Sequence, residues 1–190
     1  QFEYTCETVL SYATDKEKLV RNTVIRLIPN LAKLYQQRFI TSYFEKSMNI
    51  IIGILRSTSQ DKQHAFIALG QLALKVGEEP LRTYIDTIMT VIKDGITPKS
   101  RKLFVPEALT CLSMIGEAVG DSISSYVVSM LDQMFVAGLT KRLTAALTSL
   151  AASIPSVLKQ IQERLLDTIS LILARTPYNP VTSRSAVTMP

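Results

Sequence analysis

A zinc or di-metal centre needs several His, Cys, Asp or Glu side chains converging on one point. This chain of 190 residues holds one histidine, His64, and two cysteines, Cys6 and Cys111. No second histidine, no cysteine pair and no close carboxylate cluster supplies the missing ligands, so no metal site is expected. Nucleophilic catalysis needs a serine or cysteine on a strained turn beside a base, yet His64 falls near the start of an ordinary helical stretch. A phosphate cradle needs clustered glycines opening a helix; the seven glycines here are dispersed. Glu78 and Glu79 are adjacent at a helix start, where carboxylates favour the helix dipole. The residues imply a non-catalytic chain with no cofactor.

Charge and composition narrow the class further. The net charge of +5 comes from 21 Lys and Arg against 16 Asp and Glu, scattered singly rather than in a stripe. The densest basic spots are Lys99, Arg101 and Lys102 in one connection and Lys141 with Arg142 in another. No aromatic residues interleave with them to stack bases, so nucleic acid is not an expected partner. Cys6 and Cys111 lie far apart in apolar helical sequence and read as buried free thiols. The longest uncharged stretch, Leu143 to Leu158, includes five Ser or Thr and Pro155; a spanning helix needs about 20 mostly apolar residues. No transmembrane segment is expected. Gln1 is not followed by a basic stretch, a short apolar run and a small-residue cleavage site, so no signal peptide is expected and the chain reads as part of something longer.

With 47% hydrophobic residues the chain can bury a sizeable core, and its apolar positions recur at helical spacing almost throughout. In one stretch they fall at Leu81, Tyr84, Ile85, Ile88, Met89, Ile92 and Ile96, one face of an amphipathic helix. The pattern predicts nine helices: 3–13, 17–34, 37–56, 60–76, 81–94, 106–119, 122–137, 140–153 and 155–174. Gly77, Gly95, Gly120 and Gly138 sit at predicted helix ends, and Pro80, Pro106 and Pro155 at predicted starts. Thr14 with Glu17 forms a candidate capping box, and Asp121 a candidate cap after Gly120. The tyrosines mostly fall at helical spacing and read as packing.

Sliding the chain against itself reveals a repeat. A shift of 43 puts Gly77 on Gly120, Gly95 on Gly138, Leu69 on Leu112, Leu72 on Ile115 and Ile88 on Leu131. A shift of 41 puts Pro29 on Gly70, Tyr43 on Tyr84 and Met48 on Met89; a shift of 35 puts Leu112 on Leu147, Ile115 on Leu150 and Leu131 on Leu166. Helix pairs recurring at this period imply a HEAT or armadillo-like solenoid, in which each pair buries its apolar face against the next. The expected fold is all-α: an α-solenoid of about four antiparallel helix pairs plus one leading helix, over residues 1–175. Pro29 lies inside its predicted helix and either kinks it or divides it into two short helices. The equivalent Gly70 permits a bend or a close helix approach. In "TCLSMIGEAVG", Gly120 reads as a helix stop and Gly116, aligned with Ala73, as a small residue where a neighbour packs closely. Residues 176–190, rich in Pro, Ser and Thr, read as a flexible linker, with Ser183 and Ser185 flanking Arg184 as possible phosphorylation sites.

Four segments in order, "HAFIALGQLALKV" (64–76), "ALTCLSMIGEAVG" (108–120), "MFVAGLTKRLTAALTSLAASIP" (134–155) and "IQERLLDTISLIL" (161–173), resemble the amino-terminal HEAT region of the target-of-rapamycin kinases. The resemblance spans roughly residues 4–176. The connection "TPKSRKLFVPE" is shorter than the family pattern. The resemblance implies a parent serine/threonine protein kinase whose catalytic domain lies elsewhere, a dimeric complex, and a Raptor-type regulatory subunit and neighbouring HEAT repeats as partners. It also implies a cytoplasmic location, with the complex peripheral on lysosomal or vacuolar membranes, and it transfers no catalytic residue to this chain. The rival is an importin-like or adaptor solenoid binding a peptide or protein. Such a groove is acidic or lined by Asn and Trp, whereas this chain is net basic and has no Trp.

Overall fold

The computed structural model describes residues 1–58, 60–97, 105–136 and 138–174. Among these residues there is no β-strand. The helices are α1 (Phe2–Ser11), α2 (Lys18–Leu34), α3 (Gln36–Ser42), α4 (Phe44–Arg56), α5 (Lys62–Val76), α6 (Glu78–Leu81), α7 (Ile85–Ile96), α8 (Val105–Val119), α9 (Ser124–Phe135), α10 (Lys141–Ser153) and α11 (Leu158–Leu173).

The chain is an all-α solenoid. Behind the leading α1 stand four pairs, α2 with α4, α5 with α7, α8 with α9 and α10 with α11. The first helices pack successively, α2 on α5, α5 on α8 and α8 on α10; the second helices form another layer, α4 on α7, α7 on α9 and α9 on α11. One continuous core runs between the layers and includes the aligned sets Leu69, Leu112 and Leu147, and Leu72, Ile115 and Leu150. A lone amphipathic helix cannot bury its stripe, so burial against the neighbouring pairs is the main stabilising term.

Several local expectations are corrected. α2 runs unbroken from Lys18 to Leu34 with Pro29 buried in its interior, so the division into two short helices does not form. The predicted helix 37–56 instead divides at Tyr43, whose φ of −128° and ψ of −13° interrupt the helix. There the Tyr43 ring stands edge-on to Phe2, with centroids 6.2 Å apart, and its hydroxyl donates to the Glu3 carbonyl. Three second-layer helices start later than their pattern suggested, because 3-10 turns at Arg82–Tyr84, Gly120–Ile123 and Pro155–Val157 precede them. Pro80 accordingly lies inside the short α6.

The capping box also gives way: Thr14 sits in a 3-10 turn and the Asp15 carboxylate accepts from the Glu17 amide at 2.8 Å. Asp121 caps nothing by its side chain and instead accepts the Ser156 hydroxyl. A side-chain cap forms at Thr140, whose hydroxyl accepts from the Leu143 amide at 3.1 Å. Tyr4 and Tyr12 are exposed rather than packed, and Tyr35, though exposed, stands edge-on to Phe2 with ring centroids 5.0 Å apart. Lys99, Arg101, Lys102, most of the connection at 97–107, and the tail at 176–190 with Ser183 and Ser185 lie outside the described residues.

Candidate interaction surface

The repeat positions singled out in the sequence do two different jobs. At Gly77, Gly120 and Gly138 the backbone has φ of +77°, +57° and +80°. A Cβ is strained in that region, and Gly77, with ψ of −173°, lies where essentially only glycine is found. Gly77 ends α5 and Gly120 opens the turn between α8 and α9. Pro155 opens the 3-10 turn before α11, where its missing N–H costs nothing.

Gly95 is not a helix stop. It lies within α7, buried, and a Cβ there would stand 2.5 Å from Phe66 Cζ and 3.0 Å from Ala108 Cβ. Gly70 is comparable, with Met114 Sδ at 2.7 Å and the Cys111 Cα at 3.3 Å from a Cβ placed on it. At Gly116 the neighbours would be Leu150 Cδ2 at 2.9 Å and Ile154 Cδ1 at 3.3 Å. These three are places where adjacent helices touch backbone to side chain. The signal in the sequence was Ile96: a stop at Gly95 leaves Ile88, Ile92 and Ile96 without their common stripe.

Polar contacts cross from one repeat to the next at intervals close to the repeat period. Ser122 donates to Glu78 at 2.9 Å and Ser156 to Asp121 at 2.5 Å, joining successive intra-pair turns. Tyr126 donates to Asp86 between α9 and α7, which holds its phenol above the usual tyrosine range. Arg164 pairs with Asp132 at 2.7 Å between α11 and α9. Arg21 reaches the buried Asp61 at 3.1 Å and donates to the Asp15 and Lys16 carbonyls at 2.9 Å, tying the turn before α2 to the start of α5. Sequence alignment of the repeats did not reveal these pairs, because partners of different residue types leave no self-similarity.

Among the described residues no group of three or more His, Cys, Asp or Glu could hold a metal. His64 is half-buried, with its Nε2 3.3 Å from the Gln63 amide. Cys6 and Cys111 are buried free thiols; desolvation pushes Cys111 well up, against the lowering effect of a hydrogen bond with the Gly70 backbone. A cleft of about 250 Å³ between α8 and α10 is lined by Thr110, Met114, Glu117, Arg142 and Ser149. An apolar recess of about 240 Å³ between α8, α9 and α10 is lined by Leu109, Met134 and Leu143. Neither gathers a nucleophile, a base and an orienting group. No helix among the described residues is long and apolar enough to cross a membrane. What the fold presents is repeat edges and broad helical faces.

No family model matches the chain. It is 36% identical over 179 residues to the serine/threonine-protein kinase TOR of Arabidopsis thaliana, covering 94% of this chain and 7% of that protein. It is 35% identical over 181 residues to the TOR kinase of Oryza sativa subsp. japonica, covering 95% of this chain and 7% of that protein. With the mTor kinase of Drosophila melanogaster it shares 29% identity over 180 residues, covering 91% of this chain and again 7% of the relative. The chain thus spans about 7% of the length of these relatives. By sequence it corresponds to one segment of the target-of-rapamycin serine/threonine protein kinases, and here that segment folds as an α-solenoid.

Proposed function

We propose that this segment is a non-catalytic HEAT-repeat scaffold in the amino-terminal region of a target-of-rapamycin serine/threonine protein kinase. In this reading it serves complex assembly and docks a Raptor-type regulatory subunit in nutrient and growth signalling, within a dimeric parent kinase. The observation that carries the reading is the regular stack itself, whose pairs are joined edge to edge across nearly the whole length matched by the TOR relatives. A stack in which each pair contacts its neighbours provides an extended surface without a reaction centre. The chain spans only about 7% of the length of the TOR relatives, which supports assigning phosphotransfer to another part of the parent. The location follows the same reading: cytoplasmic, with the complex peripheral on lysosomal or vacuolar membranes.

Two experiments test the role. The immobilised 190-residue chain is presented with the Raptor-type subunit, and the same stretch is deleted from the full-length kinase. Retention of the subunit by the chain, or its loss from the deleted kinase, is the expected result. No retention together with unchanged co-purification refutes the docking role. Phosphotransfer assayed on the isolated chain gives no activity if the scaffold reading is right.

A further inference from the structure

Two successive seams of the stack hold equivalent residues but fill their space differently. Where α5, α7 and α8 meet, the Phe66 ring lies against Gly95: a Cβ placed on Gly95 would stand 2.5 Å from Phe66 Cζ and 3.0 Å from Ala108 Cβ. One repeat on, the shift of 43 puts Leu109 at the place of Phe66 and Gly138 at that of Gly95, and the shift of 35 puts Leu143 at that of Ala108. A Cβ on Gly138 would meet nothing within 4 Å. Leu143 is larger than Ala108 and takes back part of the space, yet the apolar recess of about 240 Å³ remains where the aromatic ring has no counterpart. Leu109, Met134 and Leu143 are buried and form its floor; Val105 and Pro106 are half-buried, and Thr140 and Arg142 stand exposed at its rim.

Volume and charge narrow what fits. An apolar cavity of about 150 Å³ admits a benzene ring, and pockets for drug-sized ligands begin at about 300 Å³, so this recess suits one aromatic or leucine side chain. Arg142 also lines the adjoining cleft between α8 and α10. Neither Arg142 nor Lys141 beside it enters any ion pair among the described residues, and nor does Glu117, the carboxylate of that cleft. The Thr110 and Ser113 hydroxyls in the cleft already donate to the Pro106 and Leu109 carbonyls, at 2.9 and 3.0 Å. From Leu109 to Glu117 is about 12 Å along α8, or about four residues of extended chain. The unneutralised charge is therefore positive at the recess and negative one short peptide length away. Two stretches of this chain outside the described residues, 98–104 and 175–190, contain no Asp or Glu, and the first carries Lys99, Arg101 and Lys102. Neither offers Arg142 a carboxylate.

We propose that the recess between α8, α9 and α10 is a docking site for a short extended segment of another protein. Its Phe or Leu enters beside Gly138 as Phe66 lies beside Gly95, and its neighbouring Asp or Glu pairs with Arg142. A Lys or Arg about four residues further on meets Glu117. The inference rests on this recess and its charges, and it stands or falls independently of the docking of a Raptor-type subunit.

The test pans the 190-residue chain against a random peptide library displayed on phage, then makes the most enriched sequence as a fluorescein-labelled peptide for anisotropy titration. Enrichment of Phe or Leu with a neighbouring Asp or Glu is the expected result. Arg142→Glu, at an exposed position, is expected to weaken the peptide by about tenfold or more. A peptide with Lys in place of its acidic residue regains affinity for that variant, a reversal that damage to the fold does not produce. Amide exchange slows on peptide binding at the starts of α8 and α10 and stays unchanged in α2. No enrichment, enrichment without an acidic residue, unchanged affinity in Arg142→Glu, or protection away from α8 and α10 overturns the proposal. So does binding that appears only when Leu103→Ser and Phe104→Ser are made together, which makes the chain's own connection the occupant.

Discussion

Replacing Gly95 by alanine tests whether α7 is held to α5 and α8 by close approach. In an isolated helix the change favours folding by about 1 kcal/mol, because alanine loses less backbone freedom than glycine. Here the new methyl meets Phe66 Cζ at 2.5 Å, Ala108 Cβ at 3.0 Å and Phe66 Cε2 at 3.1 Å. Ala108 has no rotamer to change, and Phe66 is itself enclosed in the core. Overpacking of this kind costs about 1–3 kcal/mol, so after the propensity gain the net expectation is a loss of up to about 2 kcal/mol. For a chain of this size that lowers Tm by up to about 8 °C. Gly53→Ala is the internal control. Gly53 sits in α4, exposed, and a Cβ there meets nothing within 4 Å, so its expected effect is a gain of up to about 1 kcal/mol. Both are read from urea and thermal unfolding followed by far-UV circular dichroism. Adding Phe66→Leu to Gly95→Ala removes the ring atoms in the way, so the double variant is less destabilised than the sum of the singles by about 1 kcal/mol. If Gly95→Ala stabilises the chain as Gly53→Ala does, the close approach of α7 to Phe66 and Ala108 is wrong.

Gly77→Ala, at φ of +77° with nothing near its Cβ, is expected to cost about 1–3 kcal/mol through backbone strain alone; an unchanged urea midpoint refutes the strained turn. Arg21→Met leaves the buried Asp61 carboxylate without its guanidinium and is expected to cost about 1–3 kcal/mol, less than for a fully buried pair because Arg21 is partly exposed. A loss below about 0.5 kcal/mol on the same measurement assigns the pair no structural weight. Burial raises the Cys111 thiol, so the folded state holds that proton more tightly than the unfolded chain. The associated stability is therefore present below the ordinary thiol value of about 9 and declines as pH rises above it. Unfolding midpoints between pH 8 and 10 are expected to fall more steeply in the parent chain than in Cys111→Ala, and parallel slopes refute this.

The helices were legible because each carries a 3.6-residue stripe, and the pairing because the stripes recur at a near-constant shift. What stayed hidden depends on contacts between different residue types. Tyr43 interrupts the run 37–56 with no Gly or Pro at the break, through its ring on Phe2 and its hydroxyl on the Glu3 carbonyl. Gly95 and Gly77 look alike in the sequence, yet one answers to Phe66 across a helix interface and the other to its own φ. Thr14 and Asp121 have the right side chains for caps, but nearby partners claim the local bonding: Asp15 accepts the Glu17 amide, and Asp121 accepts the Ser156 hydroxyl.

The division of labour between apolar and polar contacts follows from their physics. Leu69, Leu112 and Leu147, or Ile88 and Leu131, stabilise the stack by burial, and burial is non-directional. A helix displaced along its neighbour by one turn still buries leucine against isoleucine, so burial alone specifies register weakly. Ser122 to Glu78, Ser156 to Asp121, Arg164 to Asp132 and Arg21 to Asp61 are directional, and each fails if one repeat slides past the next. Exposed pairs among them contribute only about 0–1 kcal/mol each, small beside the core, but the energy that matters for register is the difference between correct and slipped stacks. The close contacts at Gly70, Gly95 and Gly116 act in the same sense, because a slipped helix brings a larger side chain to a place that admits only hydrogen. A variant series that removes Ser122, Ser156 and Asp132 together should therefore leave helix content nearly unchanged while loosening the packing between repeats, seen as faster amide exchange at α9 and α11 than at α2 and α5. Equal acceleration in all four helices would show that burial sets the register by itself.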